Sequence, residues 1–411
     1  MLKVAVVGGG ASGMMAACIA AKNGAQVTLF ERGSICGVKL NITGKGRCNV
    51  TNNCDLNTLI ANTVKNGRFL YSAFSAFDSQ AVMSFFEDCG VKLKTERGNR
   101  VFPVSDSAKE VSGALRNMMH HMGVRIVKER ISAVKDYNGA VCGVCGENGA
   151  FYDADSVIIA TGGMSYPRTG STGDGYRIAR ALGHTVTELS PSLVPLIVKG
   201  NIPKRLEGLA LKNVGLSVAA NGKTIYTDFG EMVFTSNGVS GPMVLSASAH
   251  LGRKNTFPYE IAIDLKPALS LDVLDKRILS DFAEVKNRDF ANSLGKLLPS
   301  KLIPVIIEKS GIHADKKVNS ITVEERSKLC TLIKSFKLEV TAFGSLDEAV
   351  VTSGGISVKE INPRTMESKI IQGLYFCGEV IDVDAYTGGF NLQIAWSTGY
   401  CAGTYASGKE V

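Results

Sequence analysis

Residues 2–32 read LKVAVVGGGASGMMAACIAAKNGAQVTLFER, and the order of residue types in that stretch decides the fold class. An apolar β-branched run leads into a glycine turn, then an alanine-rich apolar helix, then a second strand ending in an acid. Gly8, Gly10 and Gly13 carry the G-x-G-x-x-G spacing. The first glycine permits the tight turn, the second lets backbone approach a pyrophosphate, and the third lets the helix close on its strand. The helix start, Ala11 and Ser12 included, offers free N–H groups and a positive dipole to phosphates. Glu31 follows Gly13 by eighteen residues, where an acid accepts hydrogen bonds from an adenosine ribose. The glycine spacing alone is weak. Strand, helix, strand and acid in register make a dinucleotide-binding unit.

Such a unit takes NAD, NADP or FAD, and the next stretch chooses among them. Residues 37–52, GVKLNITGKGRCNVTN, are polar, glycine-rich and cationic, and they suit neither a helix nor a strand. A nicotinamide dehydrogenase usually passes here to another helix and strand. Backbone amides around Gly44 and Gly46, with Lys39 and Arg47, instead suit the remainder of a long, doubly charged cofactor, which favours FAD. The expectation is a cofactor clamp, more ordered with FAD than without it, in which pyrophosphate and ribityl groups bond to Lys39 and Arg47 and to backbone around Gly46 and Asn49.

Three further pieces fit the same site. SVIIATGG, from Ser156 to Gly163, reads as a buried strand ending in small residues that let a ligand pass close. Val124 to Val134 alternates like one strand and places the Ile131 backbone amide to read an adenine. Residues 373–403 give a strand, Gly378-Glu379, a glycine turn and an apolar helix from about Asn391, whose N-terminal amides would stabilise the negative charge of a reduced flavin.

At these residues the chain resembles a known family. GVKLNITGKGRCNVTN, GNRVFPVSDSA, ATGGMSYPRTGSTGDGY, PSLVPL, FTSNGVSGPMVLSAS and the run from VTSGGISVKE to LQIAWSTG are similar to the bacterial HI0933-like (YhiN, BaiN-like, aminoacetone oxidase-like) flavoproteins. The resemblance spans residue 1 to about Gly403. It implies an α/β fold: a discontinuous glutathione-reductase-type, Rossmann-like FAD-binding domain with an inserted β-rich and helical domain. It also implies non-covalent FAD surrounded by Gly10, Ala11, Ser12, Gly13, Glu31, Arg32, Lys39, Gly46, Arg47, Cys48, Asn49, Ile131, Thr161, Gly162, Glu379, Asn391, Leu392 and Gln393. In the FTSNG piece the family pattern has Thr-His, where this chain has Thr235-Ser236.

The domain expectation is 1–190 and 349–411 for the FAD domain and 191–348 for the insert. LKNVGLSVAANGKTIYT reads as two strands around an Asn-Gly turn, and the later runs LSLDVLDKRILSDFAEV and TVEERSKLCTLIKSF have one-sided helical spacing. Strands are expected first in the insert and helices after them. Cys142 and Cys145 form a CGVC inside a strand pattern, where residues three apart face opposite sides, so a redox dithiol is disfavoured. No Cys/His spacing fits a metal, the nearest grouping being Cys36, Cys48 and Cys54, and His313 reads as a surface residue.

Charged residues make up 20% of the chain and hydrophobic ones 45%, so the whole length is expected to fold. The net charge of +8 is dispersed, which favours anionic ligands more than nucleic acid. The first residues enter a strand at once and no apolar run approaches the ~18 residues of a membrane span, so a cytoplasmic location is expected. The functional expectation is an FAD-dependent oxidoreductase of a small molecule held in the cleft between FAD domain and insert. NAD(P)H as a transient donor, or an amine or aminoketone, would reduce the flavin, since no second G-x-G-x-x-G follows a strand. Tyr166, Arg168 and Tyr386 lie in glycine-rich loops suited to orienting that substrate. An RNA-modifying flavoprotein and a flavin-bearing redox sensor are the alternatives.

Overall fold

The computed structural model describes residues 1–251 and 257–410. The chain forms two compact units, Met1–Ser192 with Leu346–Val411, and Leu193–Ser345.

The first unit is built on β1 (Lys3–Val7), β2 (Gln26–Glu31), β3 (Arg125–Lys128), β4 (Ser156–Ile159) and β5 (Leu374–Phe376), all parallel in the order β5-β4-β1-β2-β3. Parallel strands covered on both faces must be apolar throughout. Accordingly Val4 to Val7 and Ser156 to Ile159 are buried without alternation. Helix α1 (Ala11–Lys22) joins β1 to β2, α2 (Asp174–Ala181) follows β4, and α3 (Phe390–Ala406) follows β5. Helix α3 is apolar nearly all round because it is enclosed. Its Gly399 and Gly403 allow close approach to α1, since a Cβ at either would lie 2.6 Å from Ser12 O or 2.5 Å from Ala16 O.

The run from Val124 to Val134 is two strands, not the one expected. β3 ends when Glu129 N bonds Glu31 O, and Arg130 is held by Asp174. Ile131–Tyr137 then starts an antiparallel sheet with Ala140–Gly146 and Phe151–Asp153.

The second unit centres on a closed barrel in the order Leu196–Val198, Gly238–Ser240, Lys223–Phe234, Ala210–Ala220, Tyr259–Asp264, Phe336–Phe343. Closure leaves no strand edge open to another chain. Asn221 and Gly222 both have positive φ, 50° and 76°, as a tight hairpin turn requires. The expected order of strands then helices is corrected: helix Pro242–Ser248 comes before strand Tyr259–Asp264, strand Phe336–Phe343 follows the later helices, and both strands are needed to close the barrel. The helices Leu271–Glu284 and Val323–Lys334 form where expected, the second behind a Thr322/Glu325 capping box. Among the described residues no helix is long and apolar enough to cross a membrane.

Candidate cofactor and active site

The three glycines of the first turn have separate reasons. Gly8 has φ 108°, and a Cβ there would lie 2.6 Å from Ala160 O; at Gly13 it would lie 1.9 Å from Gly8 O. Those two are required by the fold. Gly10 has φ −79° and nothing within 4 Å of a Cβ position, so no neighbouring protein atom requires it. It stands at the N-terminus of α1, which has no side-chain cap and no acid in its first turn. The first amide closing the helix is Met14 N on Gly10 O, leaving those of Ala11, Ser12 and Gly13 for a ligand.

Glu31 ties this turn to the loop after β2. Its Oε2 accepts from Gly9 N at 2.9 Å and its Oε1 from Gly33 N at 2.7 Å. Beyond it, Arg32 donates to Thr172 Oγ1 at 2.6 Å, and Arg130 grips Asp174 at 2.7 and 2.9 Å. This cluster joins the end of β2 to the first turn of α2, and buried Ile131 follows Arg130 directly. Asp174 and Arg130 were missed in the sequence. Asp174 lies in the quoted GSTGDGY piece, but nothing there names its partner.

Residues 37–52 differ from the loop expected. Val38–Ile42 is a short helix entered through left-handed Gly37, Gly44 to Gly46 turn back through positive φ, and Thr51–Asn52 pairs with Arg100–Pro103 as a strand. Apolar Val38, Leu40 and Ile42 give the helix its one buried position at Leu40. Arg47 does not stand free for a pyrophosphate. It pairs with Glu96 and Asp106, its guanidinium lying 4.1 Å from the Phe102 ring centroid, because two carboxylates converge there. Buried Cys48 has φ 59°, and the buried Asn49 Oδ1 has no hydrogen-bond partner.

Lys39 points into the unit. Its Nζ donates at 2.7 Å to both Ser165 Oγ and Glu379 Oε2. Glu379 Oε1 accepts from Ser165 Oγ at 3.0 Å and from Thr352 N at 2.9 Å, while Thr352 Oγ1 accepts from Met164 N and Ser165 N. Burial alone would raise the Glu379 carboxyl; the Lys39 charge and these donors outweigh it and hold it below the usual carboxylate range. Glu379 is thus a hub joining three segments far apart in sequence. Gly378 sits against α1, where a Cβ would lie 2.4 Å from Ser12 Oγ.

The next residue after Ser165 is strained. Tyr166 has φ 53° and precedes Pro167, a combination costing about 1–3 kcal/mol. Its carbonyl accepts from Thr169 N and Oγ1, at 2.8 and 2.7 Å, and Lys39 Nζ lies 5.9 Å from its ring centroid.

The start of α3 offers backbone only. Gly389 has φ 103°, and a Cβ there would lie 2.3 Å from Thr51 C. Asn391 spends its side chain on Ala385 N and O, and Gln393, fully buried, bonds Thr51 Oγ1, Phe77 O and Ser397 Oγ. Leu392 lies between them. With no side-chain cap on α3, its first-turn amides face the same need as those of α1. The Thr161 hydroxyl adds a second buried oxygen without a partner, beside Gly162 at φ 70°.

All ten cysteines are free thiols. Burial pushes Cys36 up to about 11 and Cys48 and Cys377 up to about 12, so all three stay protonated at neutral pH. Among the described residues no group of three His, Cys, Asp or Glu side chains is placed to hold a metal.

Two uncapped helix starts, the open space at Gly10, and two orphaned buried oxygens at Asn49 and Thr161 fit an extended dinucleotide with polar groups along its length. The fold and this site define a dinucleotide-binding protein. The chain belongs to the HI0933-like family: residues 2–405 match the HI0933-like protein Rossmann domain, and with that membership it is an FAD-dependent oxidoreductase. It is 31% identical over 414 residues to the 3-dehydro-bile acid delta(4,6)-reductase of Clostridium scindens, covering 99% of each chain. It is 30% identical over 403 residues to a ribosomal RNA dihydrouridine synthase of Haemophilus influenzae, covering 97% of this chain and 96% of that one. Among solved structures, the 3-ketosteroid delta1-dehydrogenase of Sterolibacterium denitrificans shares the fold, with a TM-score of 0.53, 14% identity, and coverage of 99% of this chain and 100% of that one.

Proposed function

We propose that the protein reduces a carbon–carbon double bond conjugated to a carbonyl group. The observation that carries this reading is a shared reaction class behind two different names. A 3-oxo steroid unsaturated at positions 4 and 6 is a dienone, and the uracil double bond that becomes dihydrouridine is conjugated to a ring carbonyl. Bound FAD supplies the hydride chemistry for such a reduction.

The residues around it have distinct tasks. First-turn amides of α1 hold the pyrophosphate, Glu31 receives the ribose, and the first turn of α3 meets developing negative charge with its dipole. Lys39, Ser165 and Glu379 fix the geometry of the loops around the reacting end. NAD(P)H is the donor in this reading, and because the chain has a single G-x-G-x-x-G following a strand it docks transiently and not in a dedicated second domain.

The leading substrate is a small-molecule enone or dienone, since the sequence has no basic stripe interleaved with aromatics. Ribosomal RNA is the second reading: the charge is dispersed along the sequence, but counted by unit most of it falls in the second one. Residues 193–345 contain 21 basic and 15 acidic residues, which accounts for +6 of the net +8.

Anaerobic flavin spectroscopy tests both. NADH or NADPH should bleach the flavin, and a 3-oxo-4,6-diene bile acid or unmodified ribosomal RNA should restore its colour. Reduction only by aminoacetone, with reoxidation only by oxygen, would overturn the reading in favour of an amine oxidase.

A further inference from the structure

Reducing a conjugated double bond requires a hydride at the β-carbon and a proton at the α-carbon, so a protein proton donor is needed beside the cofactor. We propose that Tyr166 is that donor, presented by the Glu379 hub. The proposal rests on the enone-reductase reading.

The path to Tyr166 runs through contacts already described. Gly378 lies against Ser12 in the phosphate-facing turn of α1, Glu379 follows it, and Ser165 and Lys39 bond to Glu379. Tyr166 is therefore one residue beyond a cluster anchored to the cofactor end of the sheet. Of the proton-bearing side chains in that cluster, Lys39 is spent on Ser165 and Glu379, Ser165 donates to Glu379, and the neighbouring thiols are buried. The Tyr166 hydroxyl makes no hydrogen bond among the described residues, and the side chain is only partly buried.

The backbone is a second observation. A bulky aromatic residue at φ 53° before a proline is held against its preference. It is fixed from both sides, by Thr169 on its carbonyl and by Ser165 locked to Glu379 and Thr352. Such strain persists where surrounding contacts over-determine a residue's direction, and it concentrates at reacting sites. The Lys39 ammonium, 5.9 Å from the ring centroid, faces a ring that would carry negative charge once its proton has left.

The step balances. The substrate's π bond breaks, one new C–H bond takes the hydride from the reduced flavin, and the other takes the phenolic proton of Tyr166. The flavin is left oxidised and the tyrosinate regains a proton from water.

Tyr166→Phe tests the assignment in holoenzyme. Reduced flavin mixed anaerobically with 2-cyclohexen-1-one or a 3-oxo-4,6-diene bile acid should reoxidise about 10²–10⁴-fold more slowly than in the unaltered protein. Reduction by NAD(P)H and FAD affinity, read by flavin fluorescence, should stay within about twofold. Without turnover, a 3-oxo steroid bound to oxidised holoenzyme should perturb the flavin absorption band in both proteins, with weaker binding in the variant. Tyr166→Asn, which accepts left-handed backbone, should keep FAD and lose the same rate. Reoxidation of the Phe variant within about threefold of the unaltered rate would overturn the Tyr166 assignment and leave the enone-reductase reading standing. A wild-type flavin indifferent to every enone would overturn both.

Discussion

Lys39 Nζ and Glu379 Oε2 lie 2.7 Å apart across 340 residues of sequence, and this pair joins the segment after β2 to the one after β5. Removing one partner strands a charge in a poorly solvated site, which for a fully buried pair costs about 3–5 kcal/mol. Lys39 and Glu379 retain side-chain exposures of 24% and 18%, so Lys39→Met should cost less, roughly 2–4 kcal/mol, by urea unfolding. The double variant Lys39→Met/Glu379→Gln should recover part of the loss. Additive losses would show that the two residues act independently.

The three glycines of the first turn predict a split between fold and cofactor. Gly8→Ala should fail to fold well, since its Cβ would collide with Ala160 O at a φ that side chains avoid. Gly10→Ala has room within the protein and a permitted backbone, so its unfolding in the absence of FAD should match the unaltered chain. Its FAD affinity should fall at least tenfold, because the added methyl occupies the ligand's approach. Equal FAD affinity in Gly10→Ala would place the pyrophosphate elsewhere.

Glu31→Ala removes the acceptor of two backbone amides as well as the expected ribose contact. Each buried amide left unpaired costs about 1–3 kcal/mol. The variant should therefore lose both stability and FAD affinity, whereas Glu31→Gln retains one acceptor oxygen and should fall between. Thermal unfolding with and without added FAD separates the two effects.

His184 gives the fold a pH dependence. It is buried, with Nε2 bonded to Ser368 Oγ at 2.8 Å, Nδ1 unpartnered, and its ring edge-on to Phe376 at 5.0 Å. Burial pushes its pKa down, more than Glu360 and the Ala179 backbone push it up. The unfolded chain therefore takes the proton first. Stability should be full above the unfolded value of about 6.5 and decline as pH falls below it. Glu379, also depressed, adds a second decline below about pH 4.3. Urea midpoints at several pH values should show the upper decline vanish in His184→Gln while the lower one remains.

How legible these features were in the sequence depends on their range. The β1-α1-β2 unit, the hairpin at Asn221-Gly222 and the two insert helices were readable because each is fixed by neighbours within a few turns. The barrel was not, because Phe336–Phe343 closes it by pairing with Leu196–Val198 and Tyr259–Asp264, both on the other side of the two long helices. In the first turn, the placing of the glycines and of Glu31 at the end of β2 was readable from spacing. The true partners of Arg47 and Lys39 were not: Glu96, Asp106 and Glu379 lie 49, 59 and 340 residues away, and a cation's charge in the sequence does not say which anion it meets. Asn391 and Gln393 illustrate the same limit, since the sequence placed them at the start of a helix but did not show that their side chains bond Ala385 and Phe77.

The most direct test of the account is the flavin released when the purified protein is denatured. FAD at close to one equivalent per chain is the expected result, because the proposed reading assigns the adenosine half to Glu31 and the far end to the uncapped start of α3. Release of FMN, or of no flavin from a protein that also fails to bind added FAD, would contradict it.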